Sequence, residues 1–185
     1  MIQRKSLLSI LFLVCLVGGQ AVARAQSPES AVGDNQRLSV GGFLSGNYLG
    51  YGQHWLGGVG VSVDANLTWR YGIEGEADWT HFHELDGSHA ATYLIGPRYQ
   101  LAGVGAKYKY RPYVKFLVGD GRFTFPYGLG YGNYFVMAPG GGVDYRLNYH
   151  FRLRLVDVEY QYWPGFTFGS MSSMAVTTGI RYNIR

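Results

Sequence analysis

The chain has 185 residues, 28 of them glycine and 16 tyrosine, with a formal net charge of +4. Its length suits one domain, its single cysteine excludes a disulfide framework, and its charges are too dispersed for the concentrated basic face of a nucleic-acid binder. No run of ten or more residues keeps a 3.6-residue apolar period, and the composition reads as all-β.

The first residues read as an export signal. Arg4 and Lys5 precede an apolar run from Leu7 to Val17, and Ala23-Arg24-Ala25 gives a small-residue cleavage site before Gln26. That run is too short to span a bilayer as a helix, which needs ~20 residues. Residues 1–25 are therefore expected to be removed, taking Cys15 with them and leaving 13 basic against 12 acidic residues. Residues 26–36, "QSPESAVGDNQ", are polar and rich in breakers, and are expected to form a flexible periplasmic lead-in to a domain over 37–185.

From Arg37 on, the chain divides into eight alternating segments bounded by Gly, Asn, Asp or Pro, at 38–50, 57–68, 72–83, 89–101, 109–119, 132–146, 150–163 and 171–184. In the second, Val59, Val61, Val63, Ala65 and Leu67 alternate with Gly60, Ser62, Asp64, Asn66 and Thr68. The third carries Glu74, Glu76 and Asp78 on one phase and Ile73, Ala77 and Trp79 on the other. The fourth, fifth, sixth and eighth follow the same rule, so each strand has one greasy and one polar side. The seventh, "FRLRLVDVEYQYW", switches phase: Phe151, Leu153 and Leu155 keep one parity, then Val156, Val158, Tyr160 and Tyr162 the other. One extra residue near Leu155 and Val156, a β-bulge, would keep all seven on one face.

Alternation does not say which side faces outward. A secreted lipocalin-like barrel would point the aliphatic side inward, and an outer-membrane barrel would point it to lipid. Charge balance decides for lipid. On the polar phase Asp64, Glu74, Glu76, Asp78, Asp144, Asp157 and Glu159 meet Arg98, Lys115, Arg146, Arg152, Arg154 and Arg181, near-neutral as a closed interior requires. That phase is also rich in small residues, and aromatics of the apolar phase gather toward segment ends, where interfacial girdles lie. The expected fold is all-β: an eight-stranded antiparallel up-and-down transmembrane β-barrel.

These features resemble the small OmpA-like and OmpX-like outer-membrane β-barrel family over 37–185, with "RLRLVDVEYQYW" as penultimate strand and "AVTTGIRYNIR" as the last. The tail departs from the family's aromatic end, since Tyr182 is followed by Asn183, Ile184 and Arg185. The resemblance implies a monomer in the outer membrane, surrounded by lipid and lipopolysaccharide and inserted by the barrel-assembly machinery.

The thirteen charged residues above are expected to form a lumenal ion-pair network that closes the tube to most conduction. Residues i and i+2 on a strand stand about 7 Å apart, a distance that glycosidase carboxylates also use, but no sugar cleft is marked and cations are available across a lumen. His81, His83 and His89, near Glu84 and Asp86, have metal-ligand spacing, although histidines at a strand edge are ordinarily interfacial polar groups. No catalytic residue, cofactor or metal is therefore assigned. A lipid A-modifying enzyme would need a His and Ser pair, and "GSH" at 87–89 has no evident orienting acid. A narrow pore is the remaining alternative.

Overall fold

The computed structural model describes residues 38–50, 55–82, 87–105, 109–125, 127, 130–167 and 169–184. The expected signal segment at 1–25 and lead-in at 26–36 lie outside these residues. Eight strands follow one another: β1 Leu38–Leu49, β2 Trp55–Asn66, β3 Tyr71–Phe82, β4 His89–Gln100, β5 Tyr110–Thr124, β6 Tyr131–Arg146, β7 Phe151–Trp163 and β8 Met171–Ile184. Each pairs antiparallel with its neighbours in sequence, and β1 pairs with β8 from Leu38↔Ile184 to Leu49↔Ser173, closing the barrel. Closure pairs the backbone groups of both would-be edge strands, a condition for crossing hydrocarbon.

The alternation read from the sequence sorts the side chains as a membrane barrel needs. Leu44, Val61 and Ile95 point outward, with 62%, 49% and 59% of their surface exposed, while Asp64, Glu74, Arg98 and Arg154 on the opposite phase are buried. A soluble carrier would have the reverse, with aliphatic residues filling its centre. Aromatic residues form two outward bands. Toward the end where β1 begins, the turn end, Tyr71 meets Tyr99, Tyr110 meets Tyr145, and Phe151 meets Tyr182, with ring centroids 5.0 to 5.3 Å apart. Toward the opposite, loop end, Tyr48 meets Trp55 at 5.5 Å, and the Trp79 indole N–H donates to the Tyr93 hydroxyl at 3.1 Å.

The seventh strand carries the extra residue. Its register passes from Val143↔Val156 to Asp144↔Arg154 against β6, and shifts between Arg154 and Asp157 against β8. Leu155 and Val156 are both exposed, so Arg152, Arg154, Asp157, Glu159 and Gln161 all turn inward. The Thr178 hydroxyl donates to the Arg154 carbonyl at 3.0 Å, supplying a partner beside the bulge.

Two expectations need correction. The fifth strand continues to Thr124 rather than ending at 119. Gly119 and Gly121 look like a break, yet the alternation runs through them, with Asp120 and Arg122 outward and Gly121 and Phe123 inward. The interior is also not polar along its whole length. Its loop-end half holds an apolar cluster beside buried polar groups such as Asn47, Thr80, Thr92, Gln161 and Ser173.

Candidate functional site: a lumen in two storeys

Strand polarity assigns the storeys. The inward residues of the turn-end half come from the ends of β2, β4, β6 and β8 and the starts of β3, β5 and β7. This is where the sequence places its charges.

Glu74, fully buried, is the hub of the lower storey. Its carboxylate contacts Arg98 at 3.2 Å, Lys115 at 3.8 Å, Arg181 at 2.5 Å and also Arg154. Asp64 bridges Arg98 at 2.7 Å and Arg181 at 2.9 Å, and Asp144 bridges the same two at 2.6 and 3.4 Å. A second group surrounds Lys115, whose ammonium reaches Glu76 at 3.1 Å, Asp157 at 2.9 Å and Glu159 at 2.5 Å. Arg154 joins the groups through Glu74 and through Glu76 at 2.5 Å. Charges taken from water this completely each cost several kcal/mol, and only dense mutual pairing offsets that.

Two aromatic rings complete the lattice. The Arg98 guanidinium lies 3.6 Å from the centroid of the buried Tyr113 ring, whose hydroxyl donates to Asp157. Arg154 lies 5.5 Å from the Phe43 centroid. These are cation–π contacts in a desolvated place, where they are worth about 2 kcal/mol. Neither ring was among the residues expected here. Tyr113 shares its parity with Lys115, which is the signal that would have found it.

Of the thirteen expected residues, Asp78 and Arg146 lie outside these ion pairs, and Arg152 stands at their edge. Asp78 is buried, but accepts from the Ser45 hydroxyl at 2.7 Å and the Asn47 amide at 3.0 Å, and no cation within ion-pair distance is among the described residues. Arg146, half-buried at the turn-end mouth, has its guanidinium 5.1 Å from the Tyr149 ring centroid. Arg152 is buried in the same mouth, opposite Arg146 on β6 and Arg181 on β8. Glu74, Glu76 and Asp157 stand close enough together to hold a metal. Lys115 and Arg154, with Arg98 and Arg181 on Glu74, already pair with that cluster, which reads as an ion-pair core.

The upper storey is a hydrophobic plug. Leu56, Leu94, Leu117, Phe123, Val136, Trp163 and Met171 are buried and form one cluster with Phe166 from the β7–β8 link. Phe123 meets Phe166 edge-on at 5.4 Å, and Tyr134 meets Trp163 at 6.2 Å. Gly121 makes room for Trp163, since a Cβ there would strike the indole ring. Beside the plug lies a cavity of about 10 Å³ lined by Asn47, Leu49, Asp78, Thr80, Gln161 and Trp163, among others.

The lattice carboxylates are buried, none with more than 8% of its surface exposed. Ser88 is buried, whereas His89 lies on the outward row, so the "GSH" pair does not present a nucleophile and base to one point.

Solved structures of the same architecture superpose on this chain. Neisserial surface protein A, NspA, gives a TM-score of 0.66 at 11% identity, covering 80% of this chain and 97% of that one. The N-terminal β-barrel domain of Pseudomonas aeruginosa OprF gives 0.55 at 18% identity, covering 79% and 97%. The outer membrane protein OprG from Pseudomonas aeruginosa gives 0.54 at 12% identity, covering 80% and 95%. No family model and no curated protein matches the sequence. The fold is that of the small eight-stranded outer-membrane barrels.

Proposed function

We propose that the protein works as a non-enzymatic, monomeric barrel of the outer membrane, with a lumen closed to bulk ion flow and a structural or surface-interaction role. The observation that carries this reading is the double filling of the tube: a buried ion-pair lattice below and a dry aromatic and aliphatic plug above. Eight strands leave an interior that side chains can fill, and here charged side chains fill the turn-end half while an apolar cluster packs with uncharged polar groups in the loop-end half. The outward aliphatic face and its two aromatic bands call for lipid and lipopolysaccharide as immediate surroundings, and for insertion by the barrel-assembly machinery.

Purified protein reconstituted in planar bilayers tests the closed lumen, with SDS gel mobility before and after boiling as the check on folding. The expected result is a heat-modifiable band and no long-lived single-channel steps. Steady channels from the heat-modifiable form would replace this reading with a narrow pore, and a soluble periplasmic pool on fractionation would remove the membrane assignment.

A further inference from the structure

We propose that His81 and His89 form a two-imidazole site for a borderline divalent transition-metal ion, with Cu²⁺ and Ni²⁺ ahead of Zn²⁺, on the outward face of the barrel at its loop end. Thr80 pairs with Ala90 in the β3–β4 ladder, and His81 and His89 are the residues that flank that pair on the loop-end side. Outward side chains next to one cross-strand pair on adjacent strands are close enough to meet. The two rings accordingly lie with centroids 4.3 Å apart and planes inclined at 51°.

That separation can be set against coordination geometry. With metal–nitrogen bonds of about 2.0 Å, two imidazoles bound in plane at 90° place their centroids about 4.5 Å apart, and at the tetrahedral angle about 5.2 Å. The observed spacing falls near the first value, the arrangement of adjacent ligands in a tetragonal Cu²⁺ or Ni²⁺ site. The order of intrinsic affinities for nitrogen ligands points the same way.

The second observation concerns His89 alone. Its Nδ1 lies 3.3 Å from the Gly87 carbonyl oxygen. A carbonyl can only accept, so Nδ1 carries the hydrogen and Nε2 carries the lone pair. Metal-ligating histidines are commonly held this way, by an outer hydrogen bond that fixes tautomer and ring orientation. The pair also stands beyond the Trp79–Tyr93 contact of the loop-end aromatic band, with His81 exposed and His89 partly so.

Copper-titrated folded protein in detergent, followed by low-temperature electron paramagnetic resonance, tests the site. One Cu²⁺ per chain with splitting from two equivalent nitrogens is expected, and His81→Asn or His89→Asn should each weaken binding at least tenfold and remove that two-nitrogen pattern. Competition should rank Ni²⁺ above Zn²⁺. Heat-modifiability on SDS gels, unchanged in both variants, keeps a folding defect from imitating the loss. The assignment falls if the two-nitrogen signal is missing from the parent protein, survives in the double variant, or disappears equally in His83→Asn.

Discussion

The turn-end and loop-end halves of the lumen are built on the same eight strands and filled differently, one by paired charges and the other by an apolar cluster with uncharged polar neighbours. Below, four cations and six carboxylates share contacts in which Glu74 alone touches four partners. Above, Leu56, Leu117, Phe123 and Val136 pack without a charge among them. The lower half depends on every member, because deleting one partner strands the others in a dry place. The upper half is a packing problem, in which a lost side chain leaves a hole rather than a bare charge. The two halves should therefore fail differently.

The largest effect belongs to Glu74. Replacing it by leucine leaves Arg98, Lys115, Arg154 and Arg181 short of their common counter-ion, and about 3–5 kcal/mol of stability should be lost. Urea titration of the protein refolded into lipid vesicles, read by tryptophan fluorescence, measures this as a fall in midpoint at constant slope. Asp78→Asn on the same strand and face is the contrast. Asp78 answers only to Ser45 and Asn47 among the described side chains, and about 1 kcal/mol is expected for its neutralisation. Equal losses at both positions would mean that the three carboxylates act as one unit.

The upper half breaks at Trp163. Trp163→Ala removes the largest buried side chain of the plug and should cost about 3 kcal/mol. Its distinguishing consequence is transport: the space released adjoins the cavity beside Asn47 and Asp78. Single-channel steps should appear in planar bilayers where the parent shows none. A silent Trp163→Ala barrel would assign the seal to the ionic lattice alone.

The sequence made the lower half legible and the upper half opaque, for one physical reason. A period of two reports orientation only when the two faces differ. Around Glu74, Glu76, Arg152 and Arg154 they differ sharply, and the inward set could be read down to the bulge. In Phe116-Leu117-Val118 and in Leu94-Ile95 both faces are apolar, because lipid lies on one side and the plug on the other. The pattern there marks a strand without saying that its inward face is dry. Tyr113 and Phe43 were hidden differently, since aromatic residues on a polar parity look like interruptions until the cations above them are placed. The nearness of His81 and His89 needed the β3–β4 pairing, which no single strand contains.

The gentlest test acts on the strand that serves both halves. Removing one residue from a β-strand ordinarily turns every later side chain to the other face. Leu155 is the exception on β7, because the bulge already holds it as the extra residue between Arg154 and Val156. Its deletion should leave Arg152 and Arg154 inward before the gap, and Asp157, Glu159 and Gln161 inward after it. The loss expected is about 1 kcal/mol, for the altered twist and for the Thr178 hydrogen bond to the Arg154 carbonyl. Deleting Leu153 instead should prevent folding. It leaves the bulge in place and carries Phe151 and Arg152 out of phase with everything that follows, sending an arginine to lipid and a phenylalanine into the lattice. Refolding yield by heat-modifiability separates the two deletions, and equal failure of both would show that the bulge, and not just the parity it preserves, is required where the two storeys share a strand.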